Sequence, residues 1–504
     1  MARNVGTRYF AIAFDAVVGL IMLPYNVAHL GPAAYGLWAL VASVSMYFSA
    51  LDLGYGSALV KFIAMYRARR DRESLNQVLS TVWVLYTAIG AVTFAAVCVV
   101  AWQFGTFFKV SPEQIETGRQ VLLIIGSYVA IRFGVGLFGA VVYGFQRYYR
   151  NNLISIITTS AVAATNFAVL DAGFGLVPLV AATTSVRALS LGVVVWMAFR
   201  AYPGMSINPR LFRRERLREV TGFSVYMLVL DWSAKLNYSV DALVIGSMIG
   251  TASVAVWTVA QRIAEVSEKL SNQLNAALFP IIVDSDAVQR RERLQQILIH
   301  ATRFSLALAT PICVGLAIVA APLIHAWVGE RFAESVAVLR LLLCVVLIKM
   351  GNAAATLILK GAGKHRLLAG TNSTTAVVNV LLSVALLPHF GLVGVALGTL
   401  IPVGSAAVFV LFPAACRRVG MPVAHAVSRA IWPAAWPVVG LCAVLWMGQR
   451  FEPSSLSALA AQLVIAGSVY EALFLCALPA NERRWYWTKV TGLLRRRRRL
   501  PAAA

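Results

Sequence analysis

Long uninterrupted apolar runs, separated by short polar loops, are the feature that most restricts the folds open to this chain. About fourteen runs reach the roughly 20 residues that a helix needs to cross a hydrocarbon core. Hydrophobic types make up 59% of the 504 residues and charged types 13%, which leaves too few polar side chains to cover a soluble protein of this size. The pattern excludes a soluble enzyme, a disordered chain and a coiled-coil rod. It predicts an all-α polytopic membrane protein.

The predicted spans follow one another with short loops. They lie near residues 7–29, 34–64, 77–104, 118–143, 151–172, 175–199, 220–248, 252–282, 295–325, 335–360, 367–388, 391–413, 429–448 and 456–478. Their apolar residues are continuous and do not alternate, so they predict helices and not the strands of a barrel. The loops opposite the basic side are too short to hold a soluble domain, which argues against an enzyme working outside the membrane.

Lys and Arg concentrate in every second loop and at both termini. The chain carries 44 Lys and Arg against 21 Asp and Glu, a net charge of +23. In a soluble protein this balance would suggest nucleic acid, but here the charge is spread over many separate loops. Because cytoplasmic loops collect positive residues, we predict that both termini are cytoplasmic. The run from Arg495 to Arg499 is expected to bind anionic lipids.

The first six spans resemble the next six. The matching segments are LGPAAYGLWALV (30–41) with IGTASVAVWTVA (249–260), VYGFQR (142–147) with LKGAGK (359–364), and GFGLVPLVAATT (173–184) with HFGLVGVALGTL (389–400). Six is an even number, so both copies enter the membrane from the same side and form parallel repeats. Two such repeats imply a cleft between two lobes that rock around a midplane site.

The repeat also predicts the domain organisation. We expect an N-terminal six-helix lobe at 1–200, a cytoplasmic linker at 201–219, a C-terminal six-helix lobe at 220–413, two extra helices at 414–478 and a basic cytoplasmic tail at 479–504.

Three segments resemble a known group of transporters. AYGLW (34–38), LDLGYGSALVKFIA (51–64) and VDALVIGSMIGTASVAVWTVAQRI (240–263) are similar to the polysaccharide-precursor flippases (O-antigen, capsule and exopolysaccharide) of the multidrug/oligosaccharidyl-lipid/polysaccharide exporter superfamily. The resemblance extends from about residue 5 to 480. It implies a two-lobed twelve-helix core with two additional helices.

The resemblance also implies a function. Such a flippase moves undecaprenyl-diphosphate-linked oligosaccharide repeat units from the cytoplasmic to the periplasmic leaflet of a bacterial inner membrane, for surface polysaccharide and lipopolysaccharide biosynthesis. The lipid-linked oligosaccharide is the implied partner, with the polymerase and other polysaccharide-assembly proteins as further candidates.

Ionisable side chains inside the predicted spans are the candidate site residues. Each costs about 2.5–3.5 kcal/mol at the centre of a membrane helix, so it is expected to face a partner or a cavity. We expect the following residues to line the cleft and bind the diphosphate: Arg132, Arg187, Lys235, Arg262, Glu265, Lys269 and Lys349. Arginine suits this task because its planar fork matches phosphate oxygens. The competing interpretation is internal pairing, of Asp231 with Lys235 and of Glu265 with Arg262 or Lys269.

Two acids in corresponding spans are candidates for ion coupling, Asp15 and Asp231. Asp15 precedes Pro24, and proline permits a membrane helix to bend. The drug exporters of the same superfamily use an acid in a proline-bent first helix, and this span resembles that arrangement. The alternative is a buried Asp15 bonded to its neighbours. Asp52 and Lys61 are expected to make a structural contact.

The motifs of common enzymes and metal sites are missing from the sequence. The six Cys and six His form no metal-binding spacing, and GxxxxGK[ST], GxSxG and HExxH runs are absent. We therefore predict a protein that is not an enzyme and has no cofactor or metal. A cation-coupled multidrug exporter and a peptidoglycan-precursor flippase stay open as alternatives. A membrane-embedded glycan polymerase or transferase is less favoured, because it would need paired carboxylates or His and a sizeable outer loop.

Overall fold

The computed structural model describes residues 2–52, 55–145, 148–221, 240–272, 279–288, 290–450, 455–478 and 482–483. Within these ranges the chain is helical and contains no β-strand. Ten described segments are long and apolar enough to cross a membrane, so the predicted all-α polytopic membrane fold is confirmed. The number of spans, fourteen, stays a prediction, because most of the seventh (220–248) lies outside the described residues.

Eighteen described helices are labelled in chain order. They are α1 (Ala2–Ser49), α2 (Tyr55–Arg69), α3 (Arg72–Trp102), α4 (Phe104–Phe107), α5 (Pro112–Gly144), α6 (Tyr148–Asp171), α7 (Leu176–Ala201), α8 (Thr251–Asn272), α9 (Phe279–Ala287), α10 (Arg291–Ile318), α11 (Ala320–Val328), α12 (Ser335–Gly361), α13 (His365–Ser405), α14 (Phe412–Val419), α15 (Val423–Ala426), α16 (Trp432–Ala435), α17 (Val438–Gln449) and α18 (Leu456–Ala477). Residues 240–248 are also helical.

Two helices are too long for a single crossing and are broken at a glycine. α1 has 48 residues and α13 has 41, lengths of about 72 and 62 Å, roughly twice the hydrocarbon core. Gly31 (φ 76°) and Gly391 (φ 57°) leave the helical conformation. A Cβ added at Gly398 would lie 2.4 Å from Ser383 Oγ, which shows that α13 folds back on itself at Gly391. The break in α1 lies at Gly31, whereas Pro24 is inside the helix.

The described chain divides into two compact units. Unit 1 comprises Met1–Arg262 and Asn372–Thr399, and unit 2 comprises Ile263–Thr371 and Leu400–Ala504. The unit boundaries fall inside α8 and α13. The lobe boundaries at 200, 220 and 413 rest on the sequence repeat and stay a prediction.

Unit 1 packs α2, α3, α5 and α7 around buried residues that include Leu59, Leu79 and Leu137. This cluster lies toward the end of the unit that carries Arg67 to Arg72 and Arg210 to Arg218, termed here the basic end. At the opposite end, α1 and α8 approach closely. A Cβ added at Gly36 would stand 1.8 Å from the Thr251 carbonyl oxygen, so that contact needs a glycine.

Unit 2 packs α10 against α12, α17 and α18, around buried residues such as Leu441 and Tyr470. Arg303 on α10 is 3% exposed. Its Nε donates to the Arg429 carbonyl oxygen at 2.9 Å, and its Nη1 pairs with Glu482. Arg429 belongs to a π-helical stretch, Val427–Ile431, where the regular helical bonding is interrupted. Arg303 therefore ties this stretch and Glu482 to α10.

Candidate functional site

Arg187 lies on the inward face of α7. Leu189 and Trp196 on the outer side are 73% and 56% exposed, as expected of a helix whose outer surface meets lipid. At about 100° per residue, Arg187 lies on the opposite side of the helix from Trp196. Thr183 and Ala198, on the same side as Arg187, are buried. Arg187 itself is exposed. An exposed charge on a face turned away from the outer apolar residues can meet water or an anion.

Arg132 lies on a face of α5 that has open space beside it. Arg132, Gly136 and Gly139 follow at steps of four and three residues and share one face. Arg132 is exposed, and a Cβ added at Gly136 or Gly139 would meet no heavy atom within 4 Å. Space is therefore left beside the guanidinium over about two turns of the helix.

α1 carries Asp15 and Gly19 on the side away from its exposed apolar residues Phe10 and Val17. Asp15 is exposed, and Gly19 follows one turn later. A Cβ added at Gly19 would stand 1.7 Å from Arg262 Nη2, so the Arg262 guanidinium lies directly against the α1 backbone. Within unit 1, Arg262 therefore reaches from α8 to α1, one helical turn beyond Asp15.

All three arginines lie well inside their helices. Arg132, Arg187 and Arg262 each lie in the middle third of α5, α7 and α8. Arg187 and Arg262 are both eleven residues from the start of their helices, or about 16 Å. Three guanidinium groups at mid-depth supply up to fifteen N–H donors, which is the chemistry that phosphate oxygens require.

Lys349, Glu265 and Lys269 belong to unit 2. Lys349 Nζ lies 3.3 Å from Glu268 Oε2, which joins α12 to α8 by an ion pair. The sequence offers Lys349 no acid within one helical turn, and the pairing residue is 81 positions away. Glu265 is half-buried and Lys269 is exposed. The ion pair with Glu268 already satisfies much of the charge on Lys349, so its ammonium is less available to a phosphate than an exposed arginine is.

The remaining predicted positions lie elsewhere. Asp231 and Lys235 fall outside the described residues. Asp52 ends a 3₁₀ turn (Ala50–Asp52) and accepts a hydrogen bond from the Tyr86 hydroxyl of α3. Lys61 is exposed, with its ammonium 5.5 Å from the ring centroid of Phe62. The roles expected of these four residues stay predictions.

A buried polar network around Asp241 is absent from the list of candidates that the sequence suggested. Asp241 is 5% exposed, and its Oδ2 accepts from Thr399 Oγ1 at 3.4 Å. Asn379 Nδ2 donates to Thr399 Oγ1 at 3.1 Å, and Ser383 Oγ donates to Asn379 Oδ1 at 3.2 Å. The reversal of α13 at Gly391 brings these side chains together. Only the spacing of polar residues in predicted spans could have suggested the network, and that spacing does not show which spans meet.

The described residues form no group of three or more His, Cys, Asp or Glu side chains that could hold a metal ion. Unit 1 carries Arg132, Arg187 and Arg262 in the middle thirds of three helices. This arrangement can bind an anion inside an apolar slab.

Comparison with known proteins identifies a family and a relative that covers nearly the whole chain. The profile of a family described as "Polysaccharide biosynthesis protein" matches residues 29–337. The probable flippase AglR of Haloferax volcanii is 22% identical over 491 residues, which are 96% of this chain and 97% of AglR.

Solved transporter structures share the fold. The lipid II flippase MurJ in an inward closed conformation superposes with a TM-score of 0.72 at 13% identity, covering 92% of this chain and 97% of that one. A multidrug resistance MATE transporter of the MOP superfamily, in an inward-facing conformation, gives 0.70 at 17% identity, covering 81% and 94%. These likenesses show that the chain has the fold of these two transporters.

Proposed function

Because this chain belongs to the family of polysaccharide biosynthesis proteins, we propose that it is a flippase for undecaprenyl-diphosphate-linked oligosaccharide repeat units. The cargo moves from the cytoplasmic to the periplasmic leaflet of a bacterial inner membrane, by alternating access, for surface polysaccharide synthesis. The observation that carries the proposal is the exposed Arg187 on the inward face of an apolar helix, at mid-depth.

The chemistry of the cargo requires such a site. A diphosphate cannot cross the hydrocarbon core without partners, because moving an isolated charge from water into a medium of low dielectric constant costs tens of kcal/mol in free energy. Guanidinium groups in a watered opening replace that hydration with charge-assisted hydrogen bonds. Arg132, Arg187 and Arg262 supply them, while the prenyl chain stays in the bilayer. The protein therefore binds and moves its substrate without making or breaking a covalent bond.

The membrane orientation and the coupling are parts of the same proposal. By the positive-inside rule, the basic end, both termini and the tail are cytoplasmic. The polymerase and other polysaccharide-assembly proteins are candidate partners. Asp15 and Asp231 are the candidate coupling acids. Asp15 lies one turn before the glycine against which Arg262 packs, so a change in its charge would alter the field at that guanidinium.

The multidrug exporter alternative fits the described site less well. Organic cations are recognised by acidic and aromatic surroundings, whereas the mid-depth charges named above in unit 1 are mainly guanidinium groups. A peptidoglycan-precursor flippase would share the diphosphate chemistry, and the identity of the accumulated sugar separates it from a polysaccharide flippase.

Deletion of the gene tests the function. We expect one completed repeat unit on undecaprenyl diphosphate to accumulate, protected from a membrane-impermeant glycosidase added to the periplasmic side. Complementation with the wild-type gene should remove it. Accumulation of incomplete repeat units, or of completed units already accessible from outside, would contradict a flippase. Loss of drug resistance with normal lipid-linked sugars would favour the exporter.

A further inference from the structure

Because Gly19 has no side chain, the Arg262 guanidinium can lie directly against the backbone of α1. A Cβ built there would stand 1.7 Å from Arg262 Nη2, 2.7 Å from Cζ and 3.0 Å from Nε. The distances to Nη2 and Cζ are too short for non-bonded atoms, and the distance to Nε is a tight contact. Any side chain at position 19 would therefore force the guanidinium to move.

The meeting point lies at mid-depth on both helices. Gly19 is twelve residues from the break at Gly31, and Arg262 is eleven residues from Thr251, distances of about 18 and 16 Å along the two axes. Near those outer ends, Gly36 lets α1 approach the Thr251 carbonyl oxygen. Two glycines therefore define the approach of α8 to α1. At Gly36 the neighbour is backbone, and at Gly19 it is the far end of a flexible side chain.

We propose that Gly19 is a positioning residue for Arg262, a slot that holds the guanidinium where it meets the substrate diphosphate. The inference rests on the proposed function. A planar guanidinium binds two phosphate oxygens at once when its edge is correctly oriented. The bare backbone of Gly19 leaves the space that the Arg262 guanidinium occupies in this orientation. A methyl group at this position would move the guanidinium by more than 1 Å, enough to spoil two-point binding.

Binding of a prenyl diphosphate to the purified full-length protein tests the proposal. The probe is farnesyl diphosphate in detergent, with farnesol as the control for binding of the chain alone. Gly192→Ala is the matched variant, because a Cβ at Gly192 meets no heavy atom within 4 Å. We expect Arg262→Ala to weaken binding of the diphosphate about 10- to 100-fold and Gly19→Ala about tenfold. In the Arg262→Ala background, the Gly19→Ala change should have no further effect.

Thermal stability gives a second readout. If Gly19→Ala lowers the melting temperature through a clash with the guanidinium, adding Arg262→Ala should restore it. If Gly19→Ala binds farnesyl diphosphate like the wild type, or if the two losses of binding add in the double variant, Gly19 does not position Arg262. Neither result contradicts the proposed function. Unchanged binding by Arg262→Ala would instead remove Arg262 from the diphosphate site. Equal losses for farnesol and farnesyl diphosphate would also refute both assignments.

Discussion

Replacing Lys349 with alanine distinguishes a structural role, as the ion-pair partner of Glu268, from a role in binding the substrate. Its ammonium lies 3.3 Å from Glu268 Oε2, with the two side chains 26% and 17% exposed. Removing one partner of a buried ion pair costs about 3–5 kcal/mol. Because this pair keeps some contact with solvent or headgroups, we expect about 2 kcal/mol. The loss arises chiefly from leaving the Glu268 carboxylate without its cation.

Thermal unfolding of the purified protein is the assay. Lys349→Ala should melt lower than the wild type. Lys349→Ala with Glu268→Gln should melt higher than Lys349→Ala, because the negative charge that Lys349 neutralised is then absent. The exchanged pair, Glu268→Lys with Lys349→Glu, should recover most of the stability and the glycan export. The reasoning is refuted if Lys349→Ala melts like the wild type but exports no glycan, since Lys349 would then act on the substrate.

Three further predictions concern other charges. Arg303→Ala should cost about 3 kcal/mol, because it leaves Glu482 and the Arg429 carbonyl oxygen unpaired; an unchanged melting temperature would contradict the structural role. Asp15→Asn should reduce glycan export and remove its dependence on the proton gradient, whereas normal gradient-dependent export would exclude Asp15 as the coupling acid. The Ser74 amide donates to Asp71 Oδ1 at 2.9 Å and lowers the pKa of Asp71. The stability that this helix cap contributes is therefore fully present above the ordinary carboxyl pKa and is lost as the pH falls through the lowered pKa of Asp71. Asp71→Ala should therefore lower the melting temperature at neutral pH, with a deficit that shrinks below about pH 4.

The fold follows from the sequence because apolar runs of spanning length have few alternatives in a membrane. The glycine breaks in α1 and α13 fall where the predicted spans divide, since 34–64 begins beyond Gly31 and 391–413 begins at Gly391. The predicted span 34–64, however, runs past the end of α1 at Ser49 into the separate helix α2. The break at Gly31 lies between the first two predicted spans, so the bend expected at Pro24, within the first span, stays a prediction. A proline interior to a membrane helix permits a bend without imposing one.

Less of the candidate site could be predicted from the sequence. Periodicity places Arg132 and Arg187 within spans, but the faces they occupy depend on which helices pack together. The partner of Lys349 and the network around Asp241 join segments 81 and 158 residues apart. The slot at Gly19 shows no sequence signal, since a glycine in an apolar helix is compatible with many contacts.

Transport by reconstituted protein tests the central claim most directly. A fluorescent undecaprenyl-diphosphate oligosaccharide is placed in proteoliposomes, and its outer-leaflet fraction is followed with a membrane-impermeant glycosidase. We expect rapid equilibration by the wild type, and about 10- to 100-fold slower movement when Arg132, Arg187 or Arg262 is changed to alanine. Gly192→Ala should behave like the wild type. If the triple arginine variant moves the lipid at the wild-type rate, the diphosphate does not cross through these guanidinium groups.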